Sequence, residues 1–301
     1  ADSNHSNTSI KFYLHSNRMG RTGVMRVIKD FHVHEHHSGD APGATAIDYC
    51  RVAEEQGFDE ICFTTHLIIA GKDTNNGIHP SRIPEYVEEI ESAQTSTSVK
   101  LRIGLEVDYF PEEEARIASI LDEYPLDFIL GSLHYIRGFD IGDKAGSTAF
   151  FGGRKIQECL EVYYDGWIEA IESGLFDVMA HPDYFRKYLN LSRQNPLSFD
   201  DYGSKVYEAI DTLKAYDVGF EVNSSGYRHG IADCYPMRDF LKALKDKGID
   251  VITIGSDCHS PTNLGERLDE AVKRIREVGY FKISVFEGRR RRDVELEKIV
   301  I

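Results

Sequence analysis

The sequence predicts an α/β fold in which a parallel sheet closes into a barrel with its helices outside. Two observations carry this prediction. Short apolar runs alternate with helical periods from Val27 onward, without a change of composition. Acids and histidines stand at the C-terminal end of nearly every one of those runs, the face on which barrels build their sites. A doubly wound open sheet would gather them at one switch point instead. The 301 residues suffice for one such domain, expected over residues 25–301. Residues 1–24 are polar and Asn/Ser-rich, with no helical period and no continuous apolar core of the signal-peptide type, and read as an extra leader.

The strands in order are Val27–Val33, Glu60–Thr65, Leu101–Val107, Phe128–Leu133, Asp177–Ala180, Val218–Val222, Asp250–Gly255 and Phe281–Phe286. Each is a short apolar or β-branched run bounded by turn residues. The helices between them are Ala44–Gln56, Ile83–Ala93, Glu112–Glu123, Ile156–Glu172, Tyr202–Tyr216, Met237–Lys247 and Leu264–Val278. Gly57, Gly174, Gly248 and Gly279 stop four of them, because the residue past a helix end often takes a left-handed backbone. Pro111 and Pro236 stand near helix starts, where a missing N–H costs little. Asp143–Arg154, rich in glycine, serine and threonine, reads as a loop, and Arg289–Arg292 as a solvated basic tail.

The candidate ligands fall on this frame. His32 and His34 are two apart on a strand, so both side chains leave the same face. Asp40 follows in the next turn, and Asp257 with His259 repeats the spacing on a late strand. His66, Glu106, His134 and His181 close four of the strands between. Imidazole with carboxylate suits Zn2+, Mn2+ or iron, and the lack of cysteine at these places argues against a structural zinc cage. Glu106 has two oxygens and is expected to bridge two ions; the number of donors favours three divalent metal ions per chain. Closely spaced cations suit phosphoryl transfer to water, with attack on an amide or lactone ring as the competing chemistry. His36 and His37 lie in the loop after the first strand, as exposed residues or a substrate contact.

Longer segments add a resemblance. Asp30–His34, His66, Glu106, His134, His181 and Asp257–His259 together resemble the motifs of the PHP (polymerase and histidinol phosphatase) superfamily of metal-dependent phosphoesterases. Gly131-Ser132-Leu133-His134-Tyr135, Glu221-Val222-Asn223-Ser224-Ser225-Gly226-Tyr227-Arg228 with Tyr235-Pro236, and Phe286-Glu287-Gly288-Arg289 resemble, more narrowly, the PHP-type histidinol-phosphate phosphatases. The resemblance implies a distorted (β/α)7 TIM-like barrel and the metal ligands His32, His34, Asp40, His66, Glu106, His134, His181, Asp257 and His259. It also implies hydrolysis of L-histidinol phosphate in histidine biosynthesis. Arg228 and one of Arg186 or Lys187 would then hold the phosphate, with Ser132 and Asn223 beside the substrate. Asp40 and His229 are the candidates for protonating the leaving group.

Composition limits the rival readings. Net charge is −15, which repels nucleic-acid backbones and leaves a small phosphate monoester as the expected partner. Hydrophobic residues make up 41%, and no apolar run approaches the ~20 residues that span a bilayer, so no membrane partner is expected. The five cysteines form no CxxC pair and suit a reducing, cytoplasmic compartment. The sequence sets no oligomeric state. The alternatives are a PHP-fold enzyme for another phosphate ester or nucleotide, and a metal-binding regulatory module without turnover, which the complete ligand set disfavours.

Overall fold

The computed structural model describes residues 28–192 and 196–296. The expected leader, residues 1–24, lies outside them. Among the described residues, parallel strands form a 7-stranded sheet in the order β1-β2-β3-β4-β7-β8-β9. These strands are β1 (Ile28–Val33), β2 (Phe58–Leu67), β3 (Lys100–Asp108), β4 (Phe128–Ser132), β7 (Val178–Met179), β8 (Gly219–Asn223) and β9 (Ile252–Gly255). They read as near-continuous apolar runs because a barrel strand is covered on both faces. The last strand meets the first: His34 N–H donates to the Cys258 carbonyl at 2.9 Å, and Asp257 N–H to the His32 carbonyl at 2.9 Å. These bonds nearly close the predicted barrel at the end where the ligands stand.

The helices follow the predicted pattern: α1 (Ala46–Gln56), α2 (Ile83–Gln94), α3 (Glu114–Glu123), α5 (Ile156–Glu172), α7 (Lys205–Tyr216), α8 (Arg238–Asp246) and α9 (Leu268–Val278). α1 shows why the boundaries fall where they do. Thr45 and Asp48 form a reciprocal capping box at its start, and Gly57 takes φ 80° at its end.

Three expectations are corrected. Asp143–Arg154 is not a loop but contains α4 (Lys144–Phe151), capped by Asp143, which accepts from Gly146 N–H at 2.6 Å. Its glycine weakens the helical signal but is required, since a Cβ on Gly146 would fall 1.9 Å from the Asp140 carbonyl oxygen. The last predicted strand, β10 (Lys282–Glu287), is outside the barrel and pairs antiparallel with β11 (Arg290–Glu295). The basic run is thus a hairpin strand rather than a tail. The shorter elements include the hairpin β5 (Tyr135–Ile136) and β6 (Phe139–Asp140), and the helix α6 (Arg186–Ser192).

Asp30, the first acid of the leading motif, has a structural place. Its buried carboxylate accepts from Ser256 N–H at 2.9 Å and Gly265 N–H at 3.1 Å, which fixes the turn carrying Asp257 to β1. Gly255 precedes that turn; a Cβ there would meet Glu221 Oε1 at 2.2 Å and His32 Cβ at 2.4 Å.

Candidate metal centre at the barrel mouth

Strand ends bring the predicted ligands together around Glu106. His32 and His34 leave β1 on one face, as their spacing requires, and both are fully buried. His32 Nε2 lies 3.2 Å and His34 Nε2 3.5 Å from Glu106 Oε2. His66, at the end of β2, places Nδ1 3.0 Å from the same oxygen. The other oxygen, Oε1, is 2.9 Å from His181 Nε2 and 3.7 Å from His134 Nε2. One carboxylate therefore faces two histidine sets. Asp257 Oδ1 is 3.4 Å from His34 Nε2, and Asp40 Oδ2 is 3.2 Å from His259 Nε2 and 3.5 Å from His66 Nε2.

The donor atoms fall into compact groups: His32, His34 and Asp257; Glu106, His134 and His181; and His34, His66 and His259, each with its donors within 4.8 Å of one another. His32 Nε2, His34 Nε2, His66 Nδ1 and Glu106 Oε2 are buried without a hydrogen-bond partner. Such an atom costs about 1–3 kcal/mol, so convergence of these atoms on one point fits cation binding and is otherwise unfavourable. Two of the candidate ligands also take uncommon backbone: His181 has φ 24° and Asp257 φ 54°, in the left-handed region.

The electrostatics agree. Burial alone would push the His32 ring down, but Glu221, Asp257 and Glu106 hold it well above the usual imidazole range. His66 is raised likewise, against burial, by Glu106 and Asp40. His34 goes the other way: burial, then His66 and His259, hold it well below. Glu106 and Asp257, which burial would raise, are held well below the carboxylate range, with His32 the largest lowering neighbour of both. The mouth keeps its acids ionised and draws positive charge to itself.

Residues that sequence reasoning missed orient the ligands. Glu221 Oε1 lies 2.7 Å from His32 Nδ1, and its Oε2 accepts from His181 N–H at 3.0 Å. Asp108 lies 3.1 Å from His134 Nδ1, and Ser38 Oγ 3.3 Å from His34 Nδ1. With Nδ1 occupied by an acceptor, Nε2 of His32 and His134 keeps its lone pair for a metal. Period two offered a signal for Asp108, which shares a strand face with Glu106, and for Glu221, which shares one with Asn223. Glu221→Gln is expected to keep the fold and to lower metal affinity about 10–100-fold. Competition against a chromogenic chelator measures it, and wild-type affinity would contradict the assigned role.

Three predicted substrate contacts sit elsewhere. Arg186 is buried and turned from the mouth: it donates to the Cys234 carbonyl at 2.9 Å and pairs with Asp183 and Asp233. Those two acids hold it because a buried guanidinium needs carboxylate partners. Ser132 is fully buried 3.4 Å from Asp108, and Asn223 donates to Glu221 at 3.0 Å and Asp257 at 3.3 Å. Both support ligands rather than line the cavity. That cavity, of about 390 Å³, is lined by Asp40, His66, Glu106, His134, His181, Asp257 and His259, and also by Arg228, Lys187 and His229. Arg228 Nη2 donates to the carbonyls of Ser256 at 2.8 Å and Asp257 at 2.6 Å, which fixes the guanidinium beside the ligands.

Comparison with known proteins places this geometry. Residues 30–225 match the PHP domain family. A Deinococcus radiodurans protein named "Probable histidinol-phosphatase" is 30% identical over 253 residues, covering 83% of this chain and 93% of that protein. The Lactococcus lactis subsp. lactis "Histidinol-phosphatase" is 24% identical over 86% of this chain and 94% of its own length. Among solved structures, histidinol phosphate phosphatase from Lactococcus lactis subsp. lactis, complexed with Zn, L-histidinol and phosphate, superposes with TM-score 0.76. It shares 22% identity, covering 88% of this chain and 98% of that one, and shows the same barrel fold. With this family match and the ligand set assembled at the strand ends, the chain belongs to the PHP domain family.

Proposed function

We propose that this chain is a metal-dependent phosphomonoesterase that hydrolyses L-histidinol phosphate to L-histidinol and phosphate, a step of histidine biosynthesis. One observation carries the reading: histidine–carboxylate groups meet at Glu106 in the cavity that Arg228 and Lys187 also line. The names of the relatives support the substrate. Three cations are assigned. His32, His34 and Asp257 with Glu106 would hold the first, Glu106 with His134 and His181 the second, and Asp40, His66 and His259 the third. When bound, Zn2+, Mn2+ or iron supplies water activation at neutral pH and charge neutralisation at phosphoryl oxygens.

The chain's own residues do the rest. Arg228 presents a fixed guanidinium matched to phosphate oxygens, and Lys187 adds a second cation at the cavity wall. Burial lowers the Lys187 ammonium from its usual range, against nearby Asp257, Asp140 and Asp40. The two candidates for protonating the leaving alcohol are both shifted towards the form without the proton. Burial and then Lys187 push His229 down to about 4, so its ring is neutral. Asp40, which burial would raise, is held far below the carboxylate range by His259 and His66. His229, 3.0 Å from the Tyr235 hydroxyl, instead orients the substrate by hydrogen bonds. Asp73, Asp140 and Asp143 also line the cavity, where they complement the amine and imidazole of histidinol. Burial and a hydrogen bond to Asp73 push Asp140 up to about 6.

The reading predicts selectivity. Steady-state kcat/KM for L-histidinol phosphate should exceed that for phosphoserine, glycerol phosphate and nucleoside monophosphates by about a hundredfold, the order set by ~3 kcal/mol of specific contacts to the leaving group. Equal rates across the panel would leave a general phosphoesterase.

No helix among the described residues is long and apolar enough to cross a membrane.

A further inference from the structure

We propose that this chain carries a further metal site outside the barrel mouth, built from Glu35, His36, His37 and Glu89, and that it holds one ion of the Zn2+ class. The first three are consecutive in the loop after β1, and Glu89 is on α2. One donor atom from each residue lies within 4.8 Å of every other. His36 Nε2 is 2.6 Å from Glu89 Oε2 and 3.5 Å from Glu35 Oε2. His37 Nδ1 is 2.8 Å from Glu35 Oε2 and 3.9 Å from Glu89 Oε2. Donors at about 2.0–2.1 Å from a tetrahedral zinc stand about 3.3 Å apart, so these separations bracket the required edge. Two imidazoles and two carboxylates also balance the charge of one divalent ion.

The surroundings orient the donors. Each carboxylate commits one oxygen to the fold and turns the other to the imidazoles, Glu35 Oε2 also accepting from His37 N–H at 3.2 Å. Glu35 Oε1 accepts from the Thr65 hydroxyl at 2.6 Å, and Glu89 Oε1 accepts from Ala46 N–H at the start of α1 at 3.0 Å. In both residues Oε2 is the atom nearest the histidines. Outer partners of this kind fix ligand geometry in metal sites. Glu35 is 1% and His37 2% exposed, while His36 and Glu89 are 30% and 28% exposed, which gives an ion a path in from the helix side. The ion pairs of both carboxylates go to His36 and His37.

The site is separate from the mouth. None of the four residues lines the 390 Å³ cavity. Glu35 follows His34, but its carboxylate goes to Thr65 and the loop histidines rather than to the mouth. An ion here would join the β1–α1 loop to α2, and that loop also carries Ser38, which meets His34, and Asp40. The role is structural: it clamps the loop that supplies part of the mouth.

The test counts metal. Protein loaded with Zn2+ and passed through a desalting column is analysed for zinc per chain, in the wild type, Glu89→Gln and Glu106→Gln, and in the Glu89→Gln/Glu106→Gln pair. The expected result is one zinc fewer in Glu89→Gln than in wild type, and again one fewer in the pair than in Glu106→Gln. Added Zn2+ should raise the thermal transition of Glu106→Gln by more than it raises that of the pair. Equal zinc content with and without Glu89→Gln in both backgrounds would overturn the proposal and leave a hydrogen-bonded ion-pair network. Because only the difference is read, the outcome does not depend on how many ions the mouth holds. His36→Ala, at a partly exposed position, repeats the comparison if Glu89→Gln does not fold.

Discussion

Glu106→Gln should yield a folded protein that has lost most of its mouth-bound metal and nearly all of its phosphatase activity. The substitution keeps size and removes the charge that faces His32, His34 and His66 with one oxygen and His134 and His181 with the other. Outer partners of metal ligands already cost about 10–100-fold in metal affinity when removed, and a carboxylate placed to serve two cations directly should cost more, with activity following it. The fold should survive, since the barrel core lies below the mouth and does not use this carboxylate. Circular dichroism, metal analysis and turnover on the same sample check the result. Wild-type turnover in a metal-replete variant would reduce Glu106 to a structural acid.

Arg228→Ala should lower kcat/KM for L-histidinol phosphate by about tenfold to over a hundredfold, since charge-assisted hydrogen bonds contribute roughly 1.5–3 kcal/mol each. A phosphate monoester carries a dianionic end, and the guanidinium offers it a planar fork that lysine does not reproduce. The penalty should be smaller for diesters, which lack the second charge. Metal content should not change, because arginine is not a ligand. The structure makes this a demanding condition: Arg228 also ties down the Asp257 carbonyl and lies 3.5 Å from Glu266. Loss of metal in Arg228→Ala would assign the residue to positioning Asp257. Unchanged kinetics would move the phosphate elsewhere in the cavity.

The candidate ligands are legible in the sequence because most of them close an apolar run, and a strand's period of two decides which side chains share a face. His32 with His34 and Asp257 with His259 are the clearest cases. Asp40 sits in a loop, where no strand period marks it, and enters only as a carboxylate in the turn after the first pair and through the resemblance. What stayed hidden depends on tertiary partners. Glu221 and Asp108 look like interior acids of a strand until the ring nitrogens they face are known. Arg186 is one residue from Lys187, which lines the cavity. Only the buried acids Asp183 and Asp233 explain why the arginine turns away. α4 was hidden by Gly146, Ser147 and Thr148, weak helix formers held by a close backbone approach and the Asp143 cap. β11 was hidden by its charges, since Val294 is its buried residue and its other side chains face solvent.

Hydrolysis of L-histidinol phosphate should depend on cations held at the barrel mouth. Chelator-treated protein, its metal content measured before and after Zn2+ is restored, should release phosphate from L-histidinol phosphate at least about a hundredfold more slowly than the reconstituted sample, as loss of ~3 kcal/mol or more of transition-state stabilisation requires. Undiminished turnover by protein shown to be metal-free would rule out metal-dependent hydrolysis at the barrel mouth.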